Sequence, residues 1–321
     1  MKKVGILAGR ERSFPAALIE RVAARSAGVE VEWVKLGGTA VDSHTPYAVI
    51  VDRISHEVPY YQLFLKHAHL QGAVIINNPF ARVVEDKFTA NLLAQQIGVA
   101  VPKTVVLPNK AYIPDITGES LTNLMYPLDW EMIVRYIGLP AVMKPAVGGG
   151  WKSVSIVHSL PQMLAAYDAS DQLSMMAQEF IHWDRYVRCL CIGREKVLPI
   201  AWDPTKPHNE RYLQQQSQQP NYLSAEETER VIADALKLCR ALGHDMNTVE
   251  FAFRAGVPYA IDFTNSAPDL DIASLGEGHF NWAVDAMTDL VIERALAVPE
   301  QRTALDSYAK AFAGVYSLKQ P

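Results

Sequence analysis

The chain has 321 residues, 49% of them hydrophobic and 20% charged, enough apolar material to bury a sizeable core and too little charge for a disordered tract. Lys and Arg total 30 against 35 Asp and Glu, and the resulting formal charge of -5 argues against a surface built to neutralise nucleic-acid phosphates. No stretch reaches the roughly 20 apolar residues of a spanning helix, so a cytoplasmic protein with no membrane partner is expected.

The apolar run Val4–Ala8 is too short for a signal core and reads as a strand ending at Gly9. Ser13 can cap a following helix with Pro15 in its first turn, and Leu18, Ile19, Val22 and Ala23 give that helix one apolar stripe. Val29–Leu36 alternates as a strand, Tyr47–Val51 is a third strand, Tyr60–His69 a helix and Ala73–Ile76 a fourth strand. Strands separated by helices imply a parallel sheet whose ligands sit at the carboxyl ends of the strands. Arg10, Arg53 and His56 follow such ends, where each is either a clamp for a substrate carboxylate or a solvated surface charge.

Asp86–Ile97 reads as a helix stopped by Gly98, and an irregular segment follows over Pro108–Pro127. Ala141–Pro145, Gly148-Gly149-Gly150 and Val154–Val157 read as strand, tight connection and strand. Cys189 and Cys191, two of only three cysteines, share one strand face and read as small buried hydrophobes. Asp203–Tyr222 is polar, with five glutamines between Gln214 and Gln219, and is either a solvated loop or a lid; it contributes His208 and Arg211 to the candidate carboxylate clamps. Strands around Val249–Phe253 and Tyr259–Phe263 flank a Gly256-Val257-Pro258 turn, and Trp282–Ala297 is an amphipathic helix carrying Ala283, Met287, Leu290 and Val291 on one side.

Chemistry concentrates in two places. The glycine run lacks the Walker pattern, because Trp151 precedes Lys152-Ser153, and it also lacks the G-x-G-x-x-G spacing. It is either an ordinary turn or a bare backbone that favours an anion. Lys144, inside an apolar strand four residues earlier, is costly to bury without a negative partner, and a phosphate would be one. Farther on, Glu250 and Asp262 lie on strands joined by a short turn, with Asn265 three residues beyond. They are either acids solvated on a sheet edge or, with the amide, a hard-oxygen set suited to Mg²⁺ held against phosphates.

The order of these elements resembles the ATP-grasp superfamily of carboxylate–amine ligases, the family of glutathione synthetase, D-alanine–D-alanine ligase and ribosomal-protein glutamate ligase. The resemblance runs from Gly72 to Leu296, through Ala73-Val74-Ile75-Ile76-Asn77-Asn78, Glu85-Asp86-Lys87-Phe88 and Ile97–Thr104. It implies an α/β ATP-grasp fold: an N-terminal parallel-sheet domain over 1–84, an ATP-grasp domain over 85–300 with lobes near 104–180 and 181–300, and a tail over 301–321. It implies that Lys87 and Lys144 bind ATP beneath a flap of Gly148, Gly149, Gly150, Trp151, Lys152 and Ser153. Gln178, Glu179, Phe180 and Ile181 match the hinge that holds adenine, and Arg188 matches the arginine that meets the transferred phosphoryl group. Glu250, Asp262 and Asn265 match the ligands of Mg²⁺, expected as a pair of ions with Mn²⁺ as an alternative.

Two positions depart from the family pattern. Asp262 and Asn265 are separated by Phe263 and Thr264 where one residue is usual, a difference that a one-residue bulge could absorb. Tyr186 stands where an acid usually grips the ribose, leaving Asp184 as the substitute. The implied reaction is ADP-forming amide synthesis through an acyl phosphate, with small-molecule carboxylate and amine substrates, an amino acid or short peptide among them, and with a homo-oligomer left open. Phosphorylation of bicarbonate and a nucleotide-binding regulatory module without turnover are the alternatives.

Overall fold

The computed structural model describes residues 1–81, 86–150, 152–207, 210–213, 222–305 and 310–311. Two compact units emerge: Met1–Val83 with Tyr186–Phe251 and Asp262–Pro321, and Val84–Arg185 with Ala252–Ile261. The first unit opens with the expected parallel sheet, ordered β2-β1-β3-β4, from β1 (Lys2–Leu7), β2 (Val29–Trp33), β3 (Val49–Asp52) and β4 (Val74–Ile76). Helices α1 (Ser13–Arg25) and α2 (Pro59–Leu70) are the intervening connections. Phe14, Leu18 and Val22 are buried on α1; of the expected stripe Leu18 and Val22 are buried, Ile19 is half-buried and Ala23 is exposed. Ser13 is not its cap: Arg12 holds that position, and the Ser13 hydroxyl donates instead to Asp271 Oδ2 at 3.0 Å.

The second unit begins at α3 (Lys87–Gln96), capped by Asp86, whose side chain accepts from the Thr89 N–H at 2.7 Å. Its antiparallel sheet is ordered β5-β8-β6-β7, from β5 (Thr104–Val106), β6 (Ala141–Pro145), β7 (Ser155–Val157) and β8 (Met175–Glu179). Two helices not expected from the sequence close its core. In α4 (Trp130–Ile137), capped by Asp129, Ile133 and Ile137 are buried; in α5 (Leu160–Asp168), capped by Ser159, Met163 and Tyr167 are. They meet Met143, Val157, Met175 and Ala177 of the sheet. The segment over 108–127 is irregular apart from a 3-10 turn at Gly118–Leu121.

The chain re-enters the first unit through β9 (Arg185–Ile192), which pairs antiparallel with β10 (Lys196–Ala201). After α6 (Ala225–Leu242) come β11 (Met246–Arg254) and β12 (Val257–Asp262), giving a sheet ordered β10-β9-β11-β12. The turn between β11 and β12 is Ala255-Gly256, with φ of 52° and 76°, and Val257 and Pro258 already belong to β12. Two consecutive positive φ values match the twist of a two-residue hairpin, which a turn at Gly256-Val257-Pro258 would not. Helix α6 starts with a capping box between Ser224 and Glu227. Helix α7 (Ile272–Ala297) starts well before Trp282 and breaks its helical geometry at Gly276. Cys189, Cys191 and Cys239 are free and buried, and burial pushes the Cys189 and Cys191 thiols up. The Gln-rich run 214–219 and His208 lie outside the described residues. Among the described residues no helix is long and apolar enough to cross a membrane.

Asn77, just past β4, ties β11 into the first unit. Its Nδ2 donates to the carbonyls of Met246 at 2.7 Å and Ser266 at 3.0 Å, and its Oδ1 accepts from the Met246 N–H at 2.7 Å. With the side chain 7% exposed, removing it strands backbone groups away from water. Asn77→Ala is expected to cost about 2–4 kcal/mol, since each orphaned buried group costs roughly 1–3 kcal/mol. Urea denaturation would measure it; a loss under about 1 kcal/mol would show that other groups or water replace the clip.

Candidate functional site

In the second unit, Lys144 projects from β6 with 7% of its surface exposed, and its Nζ donates to the Ile261 carbonyl at 3.3 Å. Ile261 is the residue before Asp262. Lys87 is the first residue of α3; its N–H donates to the Ala146 carbonyl at 2.8 Å and its Nζ to the Gly148 carbonyl. The glycine run between β6 and β7 is thus held at one end by a lysine 61 residues away. Gly148 and Gly150 have φ of 103° and 73°, and a Cβ on any of the three glycines would meet nothing within 4 Å. Backbone conformation and open approach, not packing, require glycine here. Ser153 is also left-handed, at φ 56°, Lys152 is exposed, and Trp151 lies outside the described residues.

The expected hinge residues lie at the end of β8. Gln178 is buried and its Nε2 donates to Thr104 Oγ1 at 2.9 Å. Glu179 is occupied at both oxygens: Oε1 accepts from Arg254 Nη1 at 2.6 Å and Oε2 from the Lys103 N–H at 3.2 Å. Ile181 is buried, and the Phe180 ring lies 5.0 Å from His182 and 5.4 Å from Trp183. The Asp184 N–H donates to the Phe253 carbonyl at 3.1 Å, and its exposed carboxylate lies 3.8 Å from Arg185 Nε.

In the first unit, β9 and β11 assemble a compact polar group. Strand alternation puts Tyr186 and Arg188 on one face of β9. The Tyr186 hydroxyl donates to Glu250 Oε2 at 2.8 Å, while Arg188 Nη1 lies 3.7 Å from Glu250 Oε1 and Nη2 donates to Thr248 Oγ1 at 3.0 Å. Burial raises the Tyr186 phenol well above its ordinary value, with Glu250 adding to the effect, so it remains a neutral donor. Burial pulls the Arg188 guanidinium down, but the charges of Tyr212, Glu250, Asp262 and Asp269 outweigh it and leave the value raised. Arg188 lies over the Trp202 ring at 4.5 Å and the Tyr212 ring at 5.8 Å. The Tyr212 phenol, mainly through burial, is pushed up to about 12.

Asp262 ends β12, and Phe263, Thr264 and Asn265 have left the sheet. Asn247, fully buried, pins that exit: its Nδ2 donates to the Phe263 carbonyl at 2.8 Å and its Oδ1 accepts from the Asn265 N–H at 3.0 Å. The extra residue between Asp262 and Asn265 is therefore taken up in coil after the strand, not in a bulge. Asn265 Nδ2 donates to Thr248 Oγ1 at 3.1 Å, which turns its carbonyl oxygen away from Thr248.

This donor chemistry fits a hard divalent cation. Glu250 and Asp262 both act electrostatically on Tyr186 and Arg188, and Asn265 offers a neutral oxygen. Among the described residues no three His, Cys, Asp or Glu side chains cluster, so a cation would need the amide as its third protein ligand. Tyr186, Asn247 and Thr248 went unnoticed as supports in the sequence; no local pattern marks them.

The four remaining candidates differ in availability. Arg53 is buried and bidentate to Glu11 at 2.6 and 2.8 Å, and it also donates to the Pro268 carbonyl at 2.5 Å. Its donors serve the fold. Arg10 is exposed, 3.9 Å from Glu57, and His56 is 3.7 Å from the same acid. Arg211 Nε donates to the Lys206 carbonyl at 2.9 Å, and its guanidinium lies 6.0 Å from the Trp202 ring centroid.

No protein-family model matches the chain. A D-alanine–D-alanine ligase of Ralstonia nicotianae is 27% identical over 161 residues, 46% of this chain and 48% of the relative, so the chain spans about half the length of that protein. Among solved structures, a RimK domain ATP-grasp protein of Sphaerobacter thermophilus superimposes with a TM-score of 0.63 at 18% identity, covering 92% of this chain and 100% of the other. The D-alanine–D-alanine ligase of Bacillus anthracis complexed with ATP gives 0.60 at 19% identity, covering 94% and 100%. Shared architecture over more than nine-tenths of the length identifies this chain as having the ATP-grasp fold.

Proposed function

We propose that the protein is an ADP-forming carbon–nitrogen ligase that joins a carboxylate to an amine through an acyl phosphate, acting on an amino acid or short peptide. The observation that carries this reading is the gathering, within one unit, of a buried Lys144 on the strand that leads into the glycine run and of Lys87, whose ammonium meets the Gly148 carbonyl: two cationic side chains and a backbone stripped of side chains suit a polyphosphate tail. In this reading Lys87, Lys144 and the Gly148–Ser153 flap hold the phosphates of ATP, and Gln178–Ile181 with Asp184 receive its base and sugar. Glu250, Asp262 and Asn265 would hold magnesium, which when bound neutralises phosphate charge and orients the phosphates.

The chain's own residues do little covalent work. Lys144 compensates charge on the phosphates during transfer to the substrate carboxylate. Arg188, fixed by Thr248 and two aromatic faces, stabilises the oxygen that becomes negative when the amine attacks the acyl carbon. Arg10, His56 and Arg211 are left as candidate carboxylate clamps. The flap excludes water from the acyl phosphate.

Three tests apply. Lys144→Met is expected to weaken ATP about 10- to 100-fold, from the roughly 1.5–3 kcal/mol of a charged hydrogen bond, without loss of fold. Isothermal titration beside a thermal melt checks this, and unchanged affinity would remove Lys144 from the site. Asp262→Asn is expected to lower ADP release at least about 100-fold while leaving the melting temperature nearly unchanged; ordinary magnesium dependence in that variant would mean the cation binds elsewhere. Finally, a screen of paired acids and amines for ADP release, repeated with hydroxylamine, is expected to give a hydroxamate in place of the amide. ATP binding with no amine-dependent ADP release would favour a regulatory module instead.

A further inference from the structure

We propose that Tyr186 is a positioning residue for the cation site: its hydroxyl holds Glu250 in the orientation a metal ligand needs and keeps it from closing onto Arg188. The inference rests on the reading of Glu250 as a magnesium ligand and adds a residue to it. Glu250 faces two donors on β9. One is a neutral phenol at full hydrogen-bond distance, 2.8 Å from Oε2. The other is a guanidinium 3.7 Å from Oε1, well beyond the roughly 2.7–2.9 Å of a charge-assisted hydrogen bond. The carboxylate is thus tied to the weaker partner and held off the stronger one.

Coulomb attraction alone would run the other way. In a site where Arg188 is 8% exposed, an unrestrained carboxylate would swing into a bidentate pair with the guanidinium and spend both oxygens there. The Tyr186 bond fixes the plane of the carboxyl group. Tyr186 is itself anchored, because the Tyr222 hydroxyl donates to its carbonyl at 2.9 Å and the Trp202 N–H donates to the same carbonyl at 3.0 Å. Hydrogen bonding to Oε2 does draw some electron density from the carboxylate and so slightly weakens it as a ligand. Orientation is the larger effect: loss of a hydrogen-bond partner behind a metal ligand typically costs 10- to 100-fold in affinity.

The test uses the full chain and Mn²⁺ as probe, followed by electron paramagnetic resonance and calorimetry in the presence of a non-hydrolysable ATP analogue. Tyr186→Phe is expected to raise the Mn²⁺ dissociation constant at least about tenfold, leaving the metal-free affinity for the analogue and the circular dichroism spectrum unchanged. A merely structural role would move both affinities together. A Mn²⁺ constant within twofold of the parent overturns the proposal. Glu250→Gln separates the two levels: if it too leaves Mn²⁺ binding unchanged, the magnesium reading itself fails. If it abolishes binding while Tyr186→Phe does nothing, this inference alone fails. Should the phenylalanine variant not fold, Tyr222→Phe removes one of the two anchors on the Tyr186 carbonyl and keeps the Tyr186 hydroxyl. A loss of about threefold or more in Mn²⁺ affinity then supports the proposal, and a smaller one overturns it.

Discussion

A carboxylate meant for an external cation has to be protected from the cations of its own protein. Glu250, in the proposed role of magnesium ligand, would need that protection, and its surroundings supply it. Its neighbours on β9 are a phenol that donates at 2.8 Å and a guanidinium kept at 3.7 Å. Arg188 is restrained in turn by Thr248 and by the faces of Trp202 and Tyr212. A guanidinium held by aromatic quadrupoles and one neutral acceptor keeps its full charge, which an intimate ion pair would cancel. The same spacing therefore leaves two opposite charges usable side by side.

That arrangement depends on strand pairing that no local pattern announces. Lys144, the glycine run and the two acids were legible because each breaks a simple rule: a lysine in an apolar strand, three bare residues in a row, two acids beside a tight turn. Their supports break none. Tyr186 meets an acid 64 residues on, and Asn77 bonds to a strand 169 residues on; such partners are set by topology, not by spacing. Arg53 carries the reverse lesson. Its place just after a strand suggested a ligand, whereas Glu11 and a backbone carbonyl occupy it, and only three-dimensional neighbours could reveal that.

The missed helices separate two causes. Helix α6 was readable: Ser224 and Glu227 form a capping box, and Val231, Ala235, Leu238 and Leu242 recur at helical spacing. Helices α4 and α5 are short, so each buries only a pair of large side chains, Ile133 and Ile137 or Met163 and Tyr167, and the periodic signal has little length in which to build. Their stability comes from the core they close over Met143 and Ala177, a tertiary fact.

The spacing of Asp262 and Asn265 joins these points. Within a pleated strand, residues two apart share a face and residues three apart do not. Had β12 continued, Asn265 would face away from Asp262. The strand instead ends at Asp262, and the side chain of Asn247 takes over the hydrogen bonding that a neighbouring strand would have supplied, to the Phe263 carbonyl and the Asn265 N–H. Once the pleat is gone, alternation no longer dictates direction, and the Asn265 side chain is oriented by Thr248, the same residue that anchors Arg188. One buried amide and one hydroxyl thus absorb an extra residue between two candidate ligands, and the same hydroxyl that orients the amide also fixes the guanidinium.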